Sequence, residues 1–163
     1  MKTLFSNLRF KPVLFASMLL GLFFVSSCDK DDDDDMVDNR PYTISGNASG
    51  SQMVPAVSGT GTGTITGTYN PEDRSFTYTS NWSGLTGAPM SAGFYNGASG
   101  ASGTAVGTAW TIPTEATATG SLNGTITLTP EQANQLTSGN WYYSYGTTAN
   151  PSGEVRGQIT ATR

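Results

Sequence analysis

The sequence predicts an all-β domain, an antiparallel β-sandwich of Greek-key, immunoglobulin-like or barrel-like form, with one short helix before the last two strands. Three observations support this fold class. Apolar and polar residues alternate with a period of two in several segments, which is typical of strands with one buried and one exposed face. Residues that favour tight turns separate these segments. A helix-capping motif marks the single helix.

The clearest alternation lies in residues 60–69, where threonine occupies every even position from Thr60 to Thr68. Turn-forming residues follow at 70–73. Residues 75–82 then repeat the alternation, so these two strands are predicted to form a hairpin. The further predicted strands are 42–47, 91–95, 104–112, 120–128, 140–145 and 154–162.

Two of these strands predict which side chains face the core. In residues 120–128 the inward set is Leu122, Ile126 and Leu128. In residues 154–162 the inward set is Val155, Gly157, Ile159 and Ala161, and the outward set is Arg156, Gln158, Thr160 and Thr162. A shift of the register by one residue would exchange the two faces.

Two segments depart from the strand pattern. Thr129 is placed as the N-cap of a helix, Gln132 as its capping-box partner and Gly139 as the C-terminal stop. The residues of this helix expected to pack inward are Ala133 and Leu136. Residues 96–103 are small, lack an apolar period and begin with an Asn-Gly turn signal, so they are predicted to form a flexible loop.

The N-terminus predicts export. Residues 1–27 have basic residues ahead of an apolar run at 13–25, the layout of a secretory signal peptide. A short membrane helix is the alternative, but about 20 apolar residues are needed to span a bilayer. The run ends in Val25-Ser26-Ser27-Cys28, which resembles a bacterial lipobox. That resemblance implies that Cys28 is lipidated and that its acyl chains attach the protein to a membrane.

Residues 28–41 predict an acidic, disordered tether between Cys28 and a folded domain at 42–163. Five consecutive aspartates, 31–35, repel one another and remain solvated. Weak calcium capture is the alternative interpretation, although a flexible run lacks a fixed set of oxygen ligands. The segment resembles the acidic export tags of surface lipoproteins in Bacteroidetes, which implies a lipid-anchored protein at the outer membrane or cell surface.

Charge excludes one class of partner. The chain has 8 basic and 12 acidic residues, and removal of the signal peptide would leave 5 basic residues and a net charge of −7. The negative charge is concentrated in the tether. Because the domain has no basic patch, nucleic acid is not expected as a partner.

Four sequence blocks resemble the CHRD (chordin-type) domain. In order along the chain they are Tyr42-Thr43-Ile44-Ser45-Gly46, Met53-Val54-Pro55-Ala56-Val57, Trp82-Ser83-Gly84-Leu85 and Ala149-Asn150-Pro151-Ser152-Gly153-Glu154-Val155-Arg156-Gly157-Gln158-Ile159. The last block is the most specific. The resemblance implies an extracellular β-sandwich with no established enzymatic activity, and it implies no particular substrate.

The chain departs from this family in one chemical respect, because it contains no histidine. CHRD domains commonly carry histidines at the positions occupied here by Gly93, Tyr95 and Gly146. With Cys28 lipidated, no nitrogen or sulfur ligand set for zinc or copper remains. No metal and no cofactor is therefore predicted.

The same absence argues against catalysis. Neither a Ser-His-Asp nor a Cys-His arrangement can form, so no enzymatic activity is predicted. Glu154 and Arg156 are the candidate functional pair, since they lie two residues apart and should share a strand face. Their structural interpretation is an ion pair or cross-strand contacts that fix the strand register. Ligand binding is the alternative.

Aromatic residues provide a second functional hypothesis. Alternation places Trp141, Tyr143 and Tyr145 together, which leaves Tyr142 as the candidate exposed ring. Exposed rings could stack on sugars, so a carbohydrate-binding module is the alternative to a surface-anchored binding or structural module. Solvent exposure of the rings would separate the two.

Overall fold

The structure, a computed structural model, describes residues 38–163. The predicted signal peptide, Cys28 and residues 28–37 of the predicted tether lie outside these residues. The strands are β1 Tyr42–Ser49, β2 Thr62–Asn70, β3 Ser75–Ser83, β4 Pro89–Asn96, β5 Thr104–Val106, β6 Gly120–Thr127, β7 Trp141–Thr147, β8 Val155–Gln158 and β9 Thr160–Thr162. A 3-10 turn, Gly50–Gln52, follows β1, and helix α1, Pro130–Thr137, precedes β7. Among residues 38–163, none of the helical segments could span a lipid bilayer.

The strands form a single curled sheet. Their order is β5-β4-β7-β8-β1-β2-β3-β6, β9 pairs with β1, and neighbouring strands are antiparallel. β3 and β4 are five steps apart in this order, about 24 Å in a flat sheet. The ring centroids of Phe76 on β3 and Phe94 on β4 are nevertheless 5.4 Å apart. The sheet therefore curls into a half-barrel, and the all-β antiparallel prediction is confirmed in its barrel-like form.

Aromatic rings fill the inside of the half-barrel. Trp110 stacks on Tyr78 with centroids 5.2 Å apart and meets Phe94 edge-on at 4.8 Å, the two geometries that aromatic pairs prefer. The buried hydroxyl of Tyr145 donates a hydrogen bond to Ser80 Oγ at 2.7 Å, and that of Tyr143 donates to the Gly46 carbonyl at 3.2 Å. These two buried hydroxyls thus find partners inside a mostly apolar core.

The predicted hairpin of β2 and β3 is confirmed. Its register pairs Tyr69 with Phe76, and both rings are buried. Backbone N–H groups in the turn donate to the side chains of Asn70 and Asp73. The even-numbered threonines of β2 face outward and are exposed. Local alternation and turn chemistry are sufficient to define this unit.

Helix α1 also matches its prediction. The N–H of Gln132 donates to Thr129 Oγ1 at 3.2 Å, and the N–H of Thr129 donates to Gln132 Oε1 at 3.0 Å, which completes the capping box. Leu136 is fully buried. Gly139 follows with a φ of 72°, a left-handed conformation that glycine adopts without strain.

Two predicted strands differ from the observed ones. The strand predicted at 104–112 ends at Val106, because Gly107 has a φ of 67° and redirects the chain so that Trp110 enters the core. The strand predicted at 154–162 is divided at Ile159, where the N–H donates to the Trp141 carbonyl at 2.8 Å. After this point the chain leaves β7 and pairs with β1 as β9. Helix α1 therefore precedes three strands rather than two.

Candidate functional site

The three predicted site residues gather beside β7 and β8. Val155 is part of the core, and Arg156 points to the opposite, outer side of β8. Glu154 precedes β8, and its carboxylate lies at the end of the core, since a Cβ atom at Gly61 would lie 3.1 Å from both Glu154 Oε1 and Val155 Cγ1. The strand face that the two residues were expected to share is therefore not observed. Neither residue is exposed, since Glu154 is 2% and Arg156 3% accessible to solvent. Loops cover both side chains. Two buried ionisable residues in a small domain need compensating partners, and the structure supplies a separate set for each.

The Glu154 carboxylate is enclosed by hydrogen-bond donors. The backbone N–H of Thr86 donates to Oε1 at 2.8 Å, and the hydroxyls of Thr86 and Thr147 donate to Oε2 at 2.5 and 2.6 Å. Asn150 Nδ2 lies 3.5 Å from the same oxygen. Burial raises the pKa of Glu154, but these hydrogen bonds outweigh that effect and hold the pKa below its ordinary value. The carboxylate is therefore ionised and committed to internal contacts.

The Arg156 guanidinium is enclosed by acceptors. Its Nη1 donates to the Ala101 carbonyl at 2.7 Å and its Nη2 to the Ala98 carbonyl at 2.8 Å. Nη2 also donates to Gln158 Oε1 at 3.2 Å. Burial lowers the pKa of Arg156, and the nearby Tyr142 acts in the opposite direction. Both carbonyls belong to the 96–103 loop, so this side chain holds in place a segment that was predicted to be flexible.

Tyr142 does not have the predicted exposure, because only 7% of it is accessible. The guanidinium carbon of Arg156 on β8 lies 3.6 Å from its ring centroid, and the ring of Tyr95 on β4 stacks at 5.1 Å with planes 11° apart. β4 and β8 flank β7, so Tyr142 is covered from both sides. Its hydroxyl accepts a hydrogen bond from the Gly103 N–H at 3.1 Å. Alternation correctly placed the ring outside the core but did not reveal the covering loop.

Glu154 and Arg156 do not form an ion pair with each other. Within residues 38–163, the ion pairs join Asp38 to Arg40 at 2.9 Å and Asp38 to Arg163 at 2.8 Å. Of the two structural interpretations, cross-strand contacts are observed, since Glu154 accepts a hydrogen bond from Thr147 on β7 and Arg156 packs on Tyr142 of β7. Each buried residue holds a different loop against the sheet, and the pair gives no exposed acid, base or nucleophile.

The positions at which CHRD domains commonly carry histidine lie on the same outer side. Gly93 is opposite Ser144, and Tyr95 is opposite Tyr142, in the register of β4 and β7. A Cβ atom at Gly146 would lie 2.5 Å from Ser91 Oγ, so this position is closely packed. In the described part of the chain, no group of three or more His, Cys, Asp or Glu residues could hold a metal ion. The Tyr95, Tyr142 and Arg156 stack occupies this region instead.

The residues that complete these contacts do not stand out in the sequence. Thr86 meets Glu154 from 68 positions away, so no local pattern indicates it. Gln158 belongs to the predicted outward strand face, and its Nε2 donates to the carbonyls of Gly97 at 3.0 Å and Gly139 at 2.8 Å. The sequence feature that could have indicated Gln158 is the block from Ala149 to Ile159, because this block contains both Glu154 and Gln158.

One comparison with known proteins identifies a family for this chain. A family model described as CHRD domain matches residues 44–159, a range that begins in β1 and ends after β8. No match was found among curated proteins or among solved structures. The matched range includes the half-barrel, α1 and both buried residues of the site. The chain belongs to the CHRD domain family.

Proposed function

We propose that this protein is a lipid-anchored lipoprotein of the outer membrane or cell surface whose CHRD domain acts, without catalysis, as a binding or structural module. A CHRD domain suggests an extracellular module of this kind. The observation that carries the proposal is the use of Glu154 and Arg156. Both are buried and fully engaged in holding loops against the sheet. These residues support a rigid scaffold rather than a reaction centre.

The anchoring part rests on the sequence around Cys28. The junction Val25-Ser26-Ser27-Cys28 follows an apolar run, and the acidic residues 31–35 come directly after it. At the start of the described part, Asp38 contacts Arg163, the last residue of the chain. The anchor is supported by the sequence alone, since residues 28–37 lie outside the described part of the chain.

Substitution of the cysteine tests the anchor. Cys28→Ser should release the protein from the membrane fraction or leave the signal peptide uncleaved, because the acylated sulfur would be lost. Ser26→Ala is the matched control, since a small residue is retained before the cysteine, and it should fractionate as the wild type does. Membrane fractionation and intact mass are the measurements. Unchanged fractionation of Cys28→Ser with a normally cleaved mass would contradict the proposal.

The aromatic residues that could stack on a glycan are not exposed at the surface. The six rings that could have supplied a flat platform are all buried: Trp82, Trp110, Trp141, Tyr142, Tyr143 and Tyr145. Exposed rings would have favoured sugars, whereas buried rings favour a scaffold or protein-contact role. A pull-down of envelope components with the mature protein tests that role, with recovery of a specific protein as the expected result. Recovery of glycan alone would favour the alternative.

A further inference from the structure

The half-barrel does not close on itself. In the described part of the chain, β5 pairs only with β4, and β6 pairs only with β3, so these two strands are the edges of the sheet. A cavity of about 580 Å³ opens next to them. Its wall includes three core aromatics and three aliphatic side chains: Tyr78, Phe94, Trp110, Val106, Leu122 and Ile126. This volume lies within the range of about 300–1,000 Å³ that is typical of small-molecule sites.

The space in front of the inner face of β6 is not filled by other residues of the domain. Leu122 and Ile126 point inward but remain only half-buried, whereas the inward residues of β3 are buried. Gly124 lies between them on β6, and a Cβ atom there would lie 2.8 Å from Tyr78 Oη. Glycine at this position thus preserves space for the hydroxyl. The result is an apolar surface that remains accessible inside the fold.

Two polar groups in the wall lack protein partners. Within residues 38–163, no hydrogen bond joins the Tyr78 hydroxyl to another residue. The indole N–H of Trp110 also has no acceptor, but it is buried and not accessible from the cavity. No residue of the wall carries a formal charge at neutral pH, because the wall contains no Asp, Glu, Lys or Arg and the phenol of Tyr78 is neutral there. The wall therefore suits an uncharged molecule that offers an oxygen for hydrogen bonding.

We propose that this cavity is a binding site for an uncharged small molecule with a flat, largely apolar body and a carbonyl or hydroxyl oxygen. The body lies against Tyr78, Phe94 and Trp110 on one side and against Leu122 and Ile126 on the other. The oxygen pairs with the Tyr78 hydroxyl. The site goes beyond the proposed function and does not depend on lipidation of Cys28, since every residue in its wall belongs to the folded domain.

Photolabelling with benzophenone tests the site, because this probe is flat, neutral and carries one carbonyl oxygen. Irradiation of the full mature chain followed by peptide mass spectrometry should give saturable labelling of β6 and residues 106–111. The negatively charged benzophenone-4-carboxylate should label these peptides about tenfold less. Labelling spread over the whole surface, or equal labelling by both probes, would overturn the proposal.

Blocking variants make the test specific. Thr108→Trp adds a bulky ring at an exposed position in the wall, and Leu122→Phe fills the cavity from β6. Both should reduce the labelling at least fivefold. Thr66→Trp makes the same change as the first variant on the exposed outer face of β2 and should leave the labelling unchanged. Circular dichroism verifies folding of each variant, and undiminished labelling in both folded blocking variants would exclude this cavity.

Discussion

β7 and β6 belong to the same sheet, yet their environments differ. Every residue of β7 from Trp141 to Thr147 is buried, including those on the side away from the core. β6 alternates between half-buried and exposed residues along its whole length. β7 has a strand on each side, and its outer face is covered by the 96–103 loop. Strand pattern alone therefore does not determine burial in this fold, because the position of loops also matters.

The two regions also differ in the burial of their polar and apolar side chains. Around β7, buried polar groups such as Glu154 and Arg156 have hydrogen-bond partners, which makes their burial tolerable. Along β6, apolar side chains such as Leu122 and Ile126 keep part of their surface accessible. The β7 region is thus built for rigidity, and the β6 region retains an accessible apolar surface for contact with another molecule.

The largest expected effect tests the buried region. Ile159 is 1% exposed and packs in the core, so Ile159→Ala should lower the free energy of unfolding by about 2–5 kcal/mol. Thr160→Ala, one residue later, is the matched control because Thr160 is exposed on β9. It should change the free energy by about 0.5 kcal/mol or less. Denaturant unfolding measures both. Equal effects, or a larger one for Thr160, would mean that the register is wrong.

The next effect concerns the loop that covers β7. Arg156→Lys keeps the charge but loses the planar guanidinium that reaches two carbonyls and covers the Tyr142 ring. We expect a loss of about 2–3 kcal/mol in the free energy of unfolding, since hydrogen bonds to charged groups contribute about 1.5–3 kcal/mol.

Limited proteolysis distinguishes this role from general destabilisation. In Arg156→Lys the 96–103 loop should be cleaved faster than the rest of the domain under native conditions. In the Ile159→Ala variant, any increase in cleavage should follow global unfolding and should not concentrate in this loop. Identical cleavage patterns for the two variants would show that Arg156 does not hold the loop specifically.

A smaller effect depends on pH. Because hydrogen bonds hold the pKa of Glu154 below its ordinary value of 4.5, its ionised form stabilises the folded state above that pH. This contribution is lost as the pH falls below about 4.5. Glu154→Gln should lower the free energy of unfolding by about 1–2 kcal/mol at pH 7. The difference from wild type should shrink as the pH decreases. Unfolding measured between pH 7 and pH 3 checks this, and a difference that grows on acidification would refute it.

Local units of the fold could be predicted from the sequence, but contacts between distant segments could not. The β2 and β3 hairpin and the capping box of α1 depend on neighbouring residues. The turn at Gly107 breaks a convincing strand pattern, because burial of Trp110 in the core outweighs continued pairing with β4. For Tyr142, alternation gave the side of the sheet correctly. It contained no information about the loop that buries the ring, since that contact depends on Arg156 from another strand.

The smallest effect tests the accessible edge and completes the comparison with β7. Ile126→Ala makes the same change as Ile159→Ala, but Ile126 is half-buried beside an existing cavity. Its removal creates little new empty volume, and its methyl groups give up only part of their burial. We expect the free energy of unfolding to fall by about 1 kcal/mol, close to the transfer free energy of one buried methylene group. Denaturant unfolding of the two variants under identical conditions provides the comparison. A loss for Ile126 as large as that for Ile159 would mean that β6 is packed as tightly as the core, and the distinction between the two regions would fail.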